Sequence, residues 1–108
     1  MQEMLELKNS GLKIAAYGAA AKGVTLLNYC GINSDIIEYV VDMNPHKQGK
    51  FLPGSRIPIV EVSRLLQDPP DVLLVLPWNL SIEIRKTILE FGDLKFRFLR
   101  AIPRLEYF

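Results

Sequence analysis

Three short apolar runs in this chain carry no polar alternation: KIAAY at 13–17, IIEYVVD at 36–42 and DVLLVL at 71–76. A strand with one solvated face alternates, whereas a strand covered on both faces reads as a continuous apolar run. Each run therefore needs cover on two sides, and the stretches between them have helical character. GVTLLNYC at 23–30 continues a spacing in which Ala20, Val24, Leu27 and Cys30 share a face, and Gly31 stands where a helix C-terminus takes glycine. A short helix is expected over 61–67. Another follows Asn79 or Ser81 as cap, with Ile84, Ile88 and Phe91 on its inner face and Gly92 as its stop. RIPIV at 56–60 is extended, and Pro58 confines it to a sheet edge. The stretch 95–103 supplies a last strand. At the N-terminus a short helix should set Met1, Met4, Leu5 and Lys8 on one side and stop at Gly11.

The order is strand, helix, strand, short strand, helix, strand, helix, strand. Strands joined through helices require right-handed crossovers and a parallel sheet. The expected fold is α/β: a three-layer half-Rossmann arrangement, with a mostly parallel sheet of 4–5 strands and helices on both faces. A chain of 108 residues suits one domain spanning 1–108. The thirteen residues 43–55 form the main irregular stretch, at a length where loops tend to be functional.

Charge and composition exclude several classes. Thirteen basic and twelve acidic side chains leave a net charge of +1, which gives no bulk attraction to nucleic acid or to an anionic membrane. No apolar run reaches the roughly 18 residues that span a bilayer. The opening MQEMLELKNSG carries Glu3 and Glu6 and no apolar core of a secretory signal. One cysteine, Cys30, excludes an internal disulfide and a cysteine-based metal cluster; it reads as a small core residue. A reducing, cytoplasmic setting is the default expectation.

Ligands of open parallel sheets sit beyond the carboxyl ends of the strands, at the switch in strand order. Four segments converge there: 18–23, 42–50, 77–81 and the region from Arg100. Gly18, Ala20 and Gly23 fit a relaxed G-x-A-x-x-G fingerprint. Free amides at Ala20, Ala21 and Lys22, a helix dipole and the Lys22 charge favour an anion such as phosphate. The competing reading is plain strand-to-helix packing, which also wants small residues. Asp42 ends the second strand 24 residues after Gly18. It either binds ribose hydroxyls or anchors the loop in DMNP. The loop that follows gathers Asn44, His46, Lys47, Gln48 and Lys50 for phosphate or sugar. His46, the sole histidine, has no partner at ligand spacing, so a metal site is not expected, and a solvated surface role is favoured over catalysis. Trp78 in LPWN offers a stacking face for a base or sugar, or a contact for another domain, and Asn79 offers a cap or a ligand contact. No residue reads as a catalytic group.

YGAAAKGVTLLNYCGI, IEYVVDMNPHKQGKFLPGSRIPI and DVLLVLPWNLSIEI, in this order, closely resemble the C-terminal domain of SAM-dependent sugar C-methyltransferases, from about Lys13 to Ile84. Those enzymes methylate carbon on nucleotide-linked keto-deoxysugars. The resemblance implies an excised C-terminal, Rossmann-like domain whose zinc-binding and SAM-binding neighbours lie elsewhere in the polypeptide. It implies a nucleotide-sugar-binding, accessory role, inactive alone, with no cofactor of its own and S-adenosylmethionine bound by the full-length enzyme. Its partners would be a nucleotide-linked deoxysugar and the SAM-binding domain of the same chain. Gly18, Lys22, Asp42, Asn44, Lys47 and Trp78 match the family's motif positions. Two readings from other classes stand beside it: a free-standing NAD(P)-type dinucleotide-binding domain, and a structural docking module.

Overall fold

The computed structural model describes residues 2–19, 21–92, 94–100 and 106–108, with the backbone alone at residues 2, 3, 21, 22, 78 and 106. Helix α1 (Gln2–Asn9) leads into β1 (Ile14–Tyr17), α2 (Ala21–Tyr29), β2 (Val40–Val41), β3 (Ile59–Val60), α3 (Arg64–Gln67) and β4 (Val72–Val75). A 3-10 turn (Trp78–Leu80), α4 (Ser81–Leu89), β5 (Arg97–Arg100) and β6 (Glu106–Tyr107) complete the order. The strands form one sheet in the order β3-β2-β1-β4-β5-β6. β1 to β5 run parallel, and β6 adds an antiparallel edge against β5, which the sequence did not announce.

Strand period two sorts the apolar runs between the two faces. Ile14 and Ala16 of β1, Val40 of β2, and Val72 and Leu74 of β4 point to one face. There they meet Met4 of α1, Leu27 of α2, and Ile37, Leu52 and Ile57 from the connections. Ala15, Val41, Leu73, Val75 and Phe98 point to the other, against Leu65 of α3 and Ile88 of α4. The three-layer α/β arrangement thus follows from runs with no polar residue on either face.

Several local expectations shift. The second apolar run forms ladder geometry only at Val40–Val41. Its start, Ile36 and Ile37, is folded into a turn on Asn33 O, yet both side chains are buried. The loop 43–55 is less irregular than its composition implied. Leu52 N donates to Ile57 O at 2.8 Å, Ile59 N donates to Lys50 O at 2.7 Å, and Phe51 bridges Pro58. This hairpin carries Leu52 into the core, so an apolar residue overrides the polar surroundings. Pro58 sits beside the edge strand β3, as its missing N–H requires. Neither Asn79 nor Ser81 caps α4: Leu80 holds the cap position without a side-chain bond. On α1 the inward residues are Met4 and Leu7, while Leu5 is exposed. Phe91 lies past the end of α4 and is exposed. The segment 101–103 of the expected last strand lies outside the described residues.

At the amino ends of the strands a polar cluster pins β1 to the α3–β4 connection. Lys13 Nζ bonds Asp68 and lies 3.5 Å from Glu38, and the Lys13 amide donates to Asp71 Oδ2 at 2.7 Å. The Tyr39 hydroxyl donates to Asp68 O at 2.7 Å, with Arg64 over its ring. The bond with Asp68 raises the Lys13 ammonium above its ordinary value and lowers the Asp68 carboxyl below its own. Burial holds the Tyr39 phenol far above the usual tyrosine range.

Two predictions follow from this architecture. A Cβ at position 18 would lie 2.7 Å from Pro77 Cδ at a backbone φ of +96°, whereas Gly31, at φ +70°, faces open space. Gly18→Ala is expected to lose roughly 2–5 kcal/mol by urea unfolding, as left-handed strain adds to overpacking. Gly31→Ala should lose only about 1–2 kcal/mol, and equal losses would contradict the close approach. The lowered Asp68 carboxyl contributes stability above the ordinary carboxylate range, lost as pH falls through its folded value. Raised Lys13 contributes below the ordinary lysine value and loses it as pH climbs through the folded one. Asp68→Asn should therefore flatten the acid side of the urea midpoint against pH; an unchanged acid decline would rule out the linkage.

Candidate functional site

β1 lies between β2 and β4, so the connections leaving β1 and β4 diverge to opposite faces of the sheet. Their carboxyl ends mark the switch in strand order, the place where parallel sheets hold ligands. The chain reverses tightly at Gly18, whose amide donates to Val41 O at 2.8 Å. Gly18 packs on Pro77 at the start of the opposite connection. At Gly23 an added Cβ would meet Leu76 Cβ at 2.8 Å, so α2 crosses close to the end of β4. Both glycines of the fingerprint are thus required by packing. Ala20 between them lies outside the described residues, as do the side chains of Ala21 and Lys22, whose backbone opens α2.

Asp42 is the polar centre of this end of the sheet. Its Oδ2 accepts from the Ala19 amide at 2.8 Å and its Oδ1 from the Asn44 amide at 2.8 Å. Gln48 Nε2 donates to the Asp42 carbonyl at 2.8 Å. Lys47 Nζ reaches the Ala19 carbonyl at 3.3 Å and stands 4.0 Å from Asp42 Oδ2. Asp42 and Lys47 thereby grip both polar backbone groups of Ala19. The Asp42 side chain is 14% exposed and that of Lys47 40%, so the carboxylate is enclosed while the ammonium reaches solvent. Asn44 closes the next turn: its Oδ1 accepts from the His46 amide at 3.0 Å and its carbonyl from Lys47 N. Asn44 and His46 are exposed. Burial raises the Tyr17 phenol at the end of β1, and the Asp42 charge adds to it.

The segment after β4 also leaves from this end of the sheet. Asn79 is exposed there, and the Trp78 side chain lies outside the described residues. Arg100 Nη1, at the end of β5, donates to the buried Ser81 Oγ at 2.9 Å, tying β5 to the first residue of α4. The fold thus brings Ala19, Asp42, Asn44 and Lys47 into one bonded cluster beside the Gly18 turn, while Asn79 is exposed in the connection after β4. Sequence reading missed Tyr17 as part of this end, although it closes an apolar run. It also missed the Ser81 and Arg100 bond, for which no local signal exists.

A concavity of about 420 Å³ opens at the opposite end of the sheet, lined by Leu65, Pro70, Asp71, Leu94, Lys95 and Phe96. It faces the amino ends of the strands, away from the switch in strand order. Chemistry and topology together favour the carboxyl end. Among the described residues no group of three or more His, Cys, Asp and Glu side chains is placed to hold a metal ion. Among them, too, no helix is long and apolar enough to cross a membrane.

Asp42→Ala strips two backbone amides of their acceptor and is expected to lose about 2–4 kcal/mol in urea unfolding. Lys47→Ala, at a half-exposed site, should lose no more than about 1 kcal/mol. Comparable losses would mean that the lysine, and not the carboxylate, holds the loop.

Comparison with known proteins gives two matches. Residues 1–103 match the family described as C-methyltransferase C-terminal domain. The C-methyltransferase NovU of Streptomyces niveus is 42% identical over 93 residues. That alignment covers 86% of this chain and 22% of the relative.

Proposed function

Because the chain belongs to the C-methyltransferase C-terminal domain family, we propose that it serves as the accessory, non-catalytic C-terminal domain of a SAM-dependent sugar C-methyltransferase. Its strand-end face takes part of a nucleotide-linked keto-deoxysugar. The observation that carries this reading is the polar cluster at the switch in strand order: the partly exposed Lys47 side chain and exposed Asn44 lie in the loop after β2, and exposed Asn79 lies in the connection after β4. An ammonium suits a phosphate, and carboxamides suit sugar hydroxyls. Lys22 and the amides of Ala20 to Lys22 add to the phosphate contacts, Trp78 stacks on a base or sugar ring, and His46 stands at the rim.

In the complete enzyme a base removes the proton next to the substrate's keto group. The enolate carbon then attacks the methyl of S-adenosylmethionine. A carbon–carbon bond forms, the sulfur–methyl bond breaks, and S-adenosylhomocysteine leaves. This domain orients the substrate and closes over it, with the chemistry done by other parts of the polypeptide in the cytoplasm. Met43, Leu80 and Ile82 are exposed apolar side chains adjoining the loops that rim the face. They favour a second role for the same rim, as the docking surface of the SAM-binding domain.

The chain alone, given S-adenosylmethionine and a thymidine-diphosphate keto-deoxysugar, is expected to show sugar-nucleotide binding and no methyl transfer; turnover would sink the accessory role. In the complete enzyme Lys47→Glu should raise KM for the sugar nucleotide about ten-fold, near 1.4 kcal/mol of binding, with kcat little changed. An unchanged KM would leave this rim with docking alone.

A further inference from the structure

The glycine loop carries a second message, in the way its first amide is used. In a dinucleotide site the amides after the first glycine turn toward a pyrophosphate, and the carboxylate ending the second strand is left for ribose hydroxyls. Here the two halves of that arrangement are bonded to each other. Asp42 Oδ2 accepts from Ala19 N at 2.8 Å, while Oδ1 is held by Asn44 N at the same distance. The carboxylate is mostly enclosed, and Lys47 lies beside it, 4.0 Å from Oδ2 and 3.3 Å from the Ala19 carbonyl. A pyrophosphate oxygen arriving at the Ala19 amide must displace a carboxylate of its own charge whose other oxygen is fixed. A ribose arriving at Asp42 meets a carboxylate whose two oxygens each already accept a backbone amide, with little of it exposed.

We infer that Asp42 is a specificity-determining residue that withholds the Ala19 amide from a pyrophosphate by holding that donor with an internal carboxylate. This deepens the proposed function and rests on it only in treating the carboxyl end of the sheet as a ligand face. Substrate phosphate is left to Lys47 and to the loop donors beyond Ala19. The fingerprint survives in the sequence because Gly18 and Gly23 are needed for packing against Pro77 and Leu76.

The test follows the Ala19 amide in nitrogen-15 correlation spectra of this chain, titrated separately with inorganic pyrophosphate and with NADH. In the wild type the Ala19 resonance should stay in place, and the Kd for each probe should be weaker than about 1 mM. Asp42→Ser keeps a hydroxyl for the Asn44 amide and frees that of Ala19. It should bind pyrophosphate at least about ten-fold more tightly, or 1.4 kcal/mol, with a shift at Ala19. Glu61→Gln removes one negative charge just past the carboxyl end of β3 and serves as the charge control; its affinity should match the wild type.

Movement of the wild-type Ala19 resonance with either probe overturns the inference. So does a gain in Asp42→Ser no larger than that in Glu61→Gln. If Asp42→Ser loses its dispersed spectrum, Asp42→Asn replaces it, since one amide oxygen serves only one of the two donors. Failure of a thymidine-diphosphate sugar to perturb any resonance counts against the proposed function and leaves the Ala19 result standing.

Discussion

The parallel pairing of β1 with β4 is the constraint from which the rest of the molecule follows. Ile14, Ala15, Ala16 and Tyr17 lie opposite Val72, Leu73, Leu74 and Val75, and every residue of the pair except Tyr17 is buried. Two strands distant in sequence can sit side by side in this way only if helices cover both faces. Period two then deals their side chains alternately to two cores. The same adjacency sends the outgoing connections to opposite sides and sets the switch point at the carboxyl ends. Gly18 against Pro77 and Gly23 against Leu76 are the contacts that let those connections approach closely.

The two ends of the sheet show how one fold separates stability from recognition. At the amino ends Lys13, Glu38, Asp68 and Asp71 pair with one another and with backbone, joining β1 to β4 and α3. At the carboxyl ends the polar groups are organised around Asp42 but reach outward through Lys47, Asn44 and Asn79. Enclosed carboxylates need donors, and the nearest donors at Asp42 are backbone amides of two loops. Satisfying it therefore fixes both loops in one step. A glycine fingerprint and a strand-end acid that stand apart in the sequence are thus bonded to each other in the fold.

Local physics made much of this legible. The unalternating runs announced strands buried twice over, Pro58 marked an edge, and Gly18 marked a turn that needs a positive φ. The resemblance of three motifs to sugar C-methyltransferase C-terminal domains agrees with the family to which the chain belongs. Other features depended on contacts that no window of sequence contains. The loop 43–55 looked polar, yet Leu52 within it is buried against the first core. α4 begins without the side-chain cap that Asn79 or Ser81 promised, because the Ser81 hydroxyl accepts from Arg100, nineteen residues on. β6 pairs back onto β5, a tertiary choice with no turn signature to announce it.

By itself, then, the sequence determined the layered α/β order, the site of the tight turn and the end of the sheet where ligands belong. All three arise from periodicity, backbone conformation and connectivity, which are properties of neighbours along the chain. Only the tertiary structure decided which donors Asp42 takes. As a loop anchor it holds an amide twenty-three residues away that folding brings within hydrogen-bond distance. A carboxylate takes the donors that the fold places nearest, and spacing along the chain does not fix which donors those are.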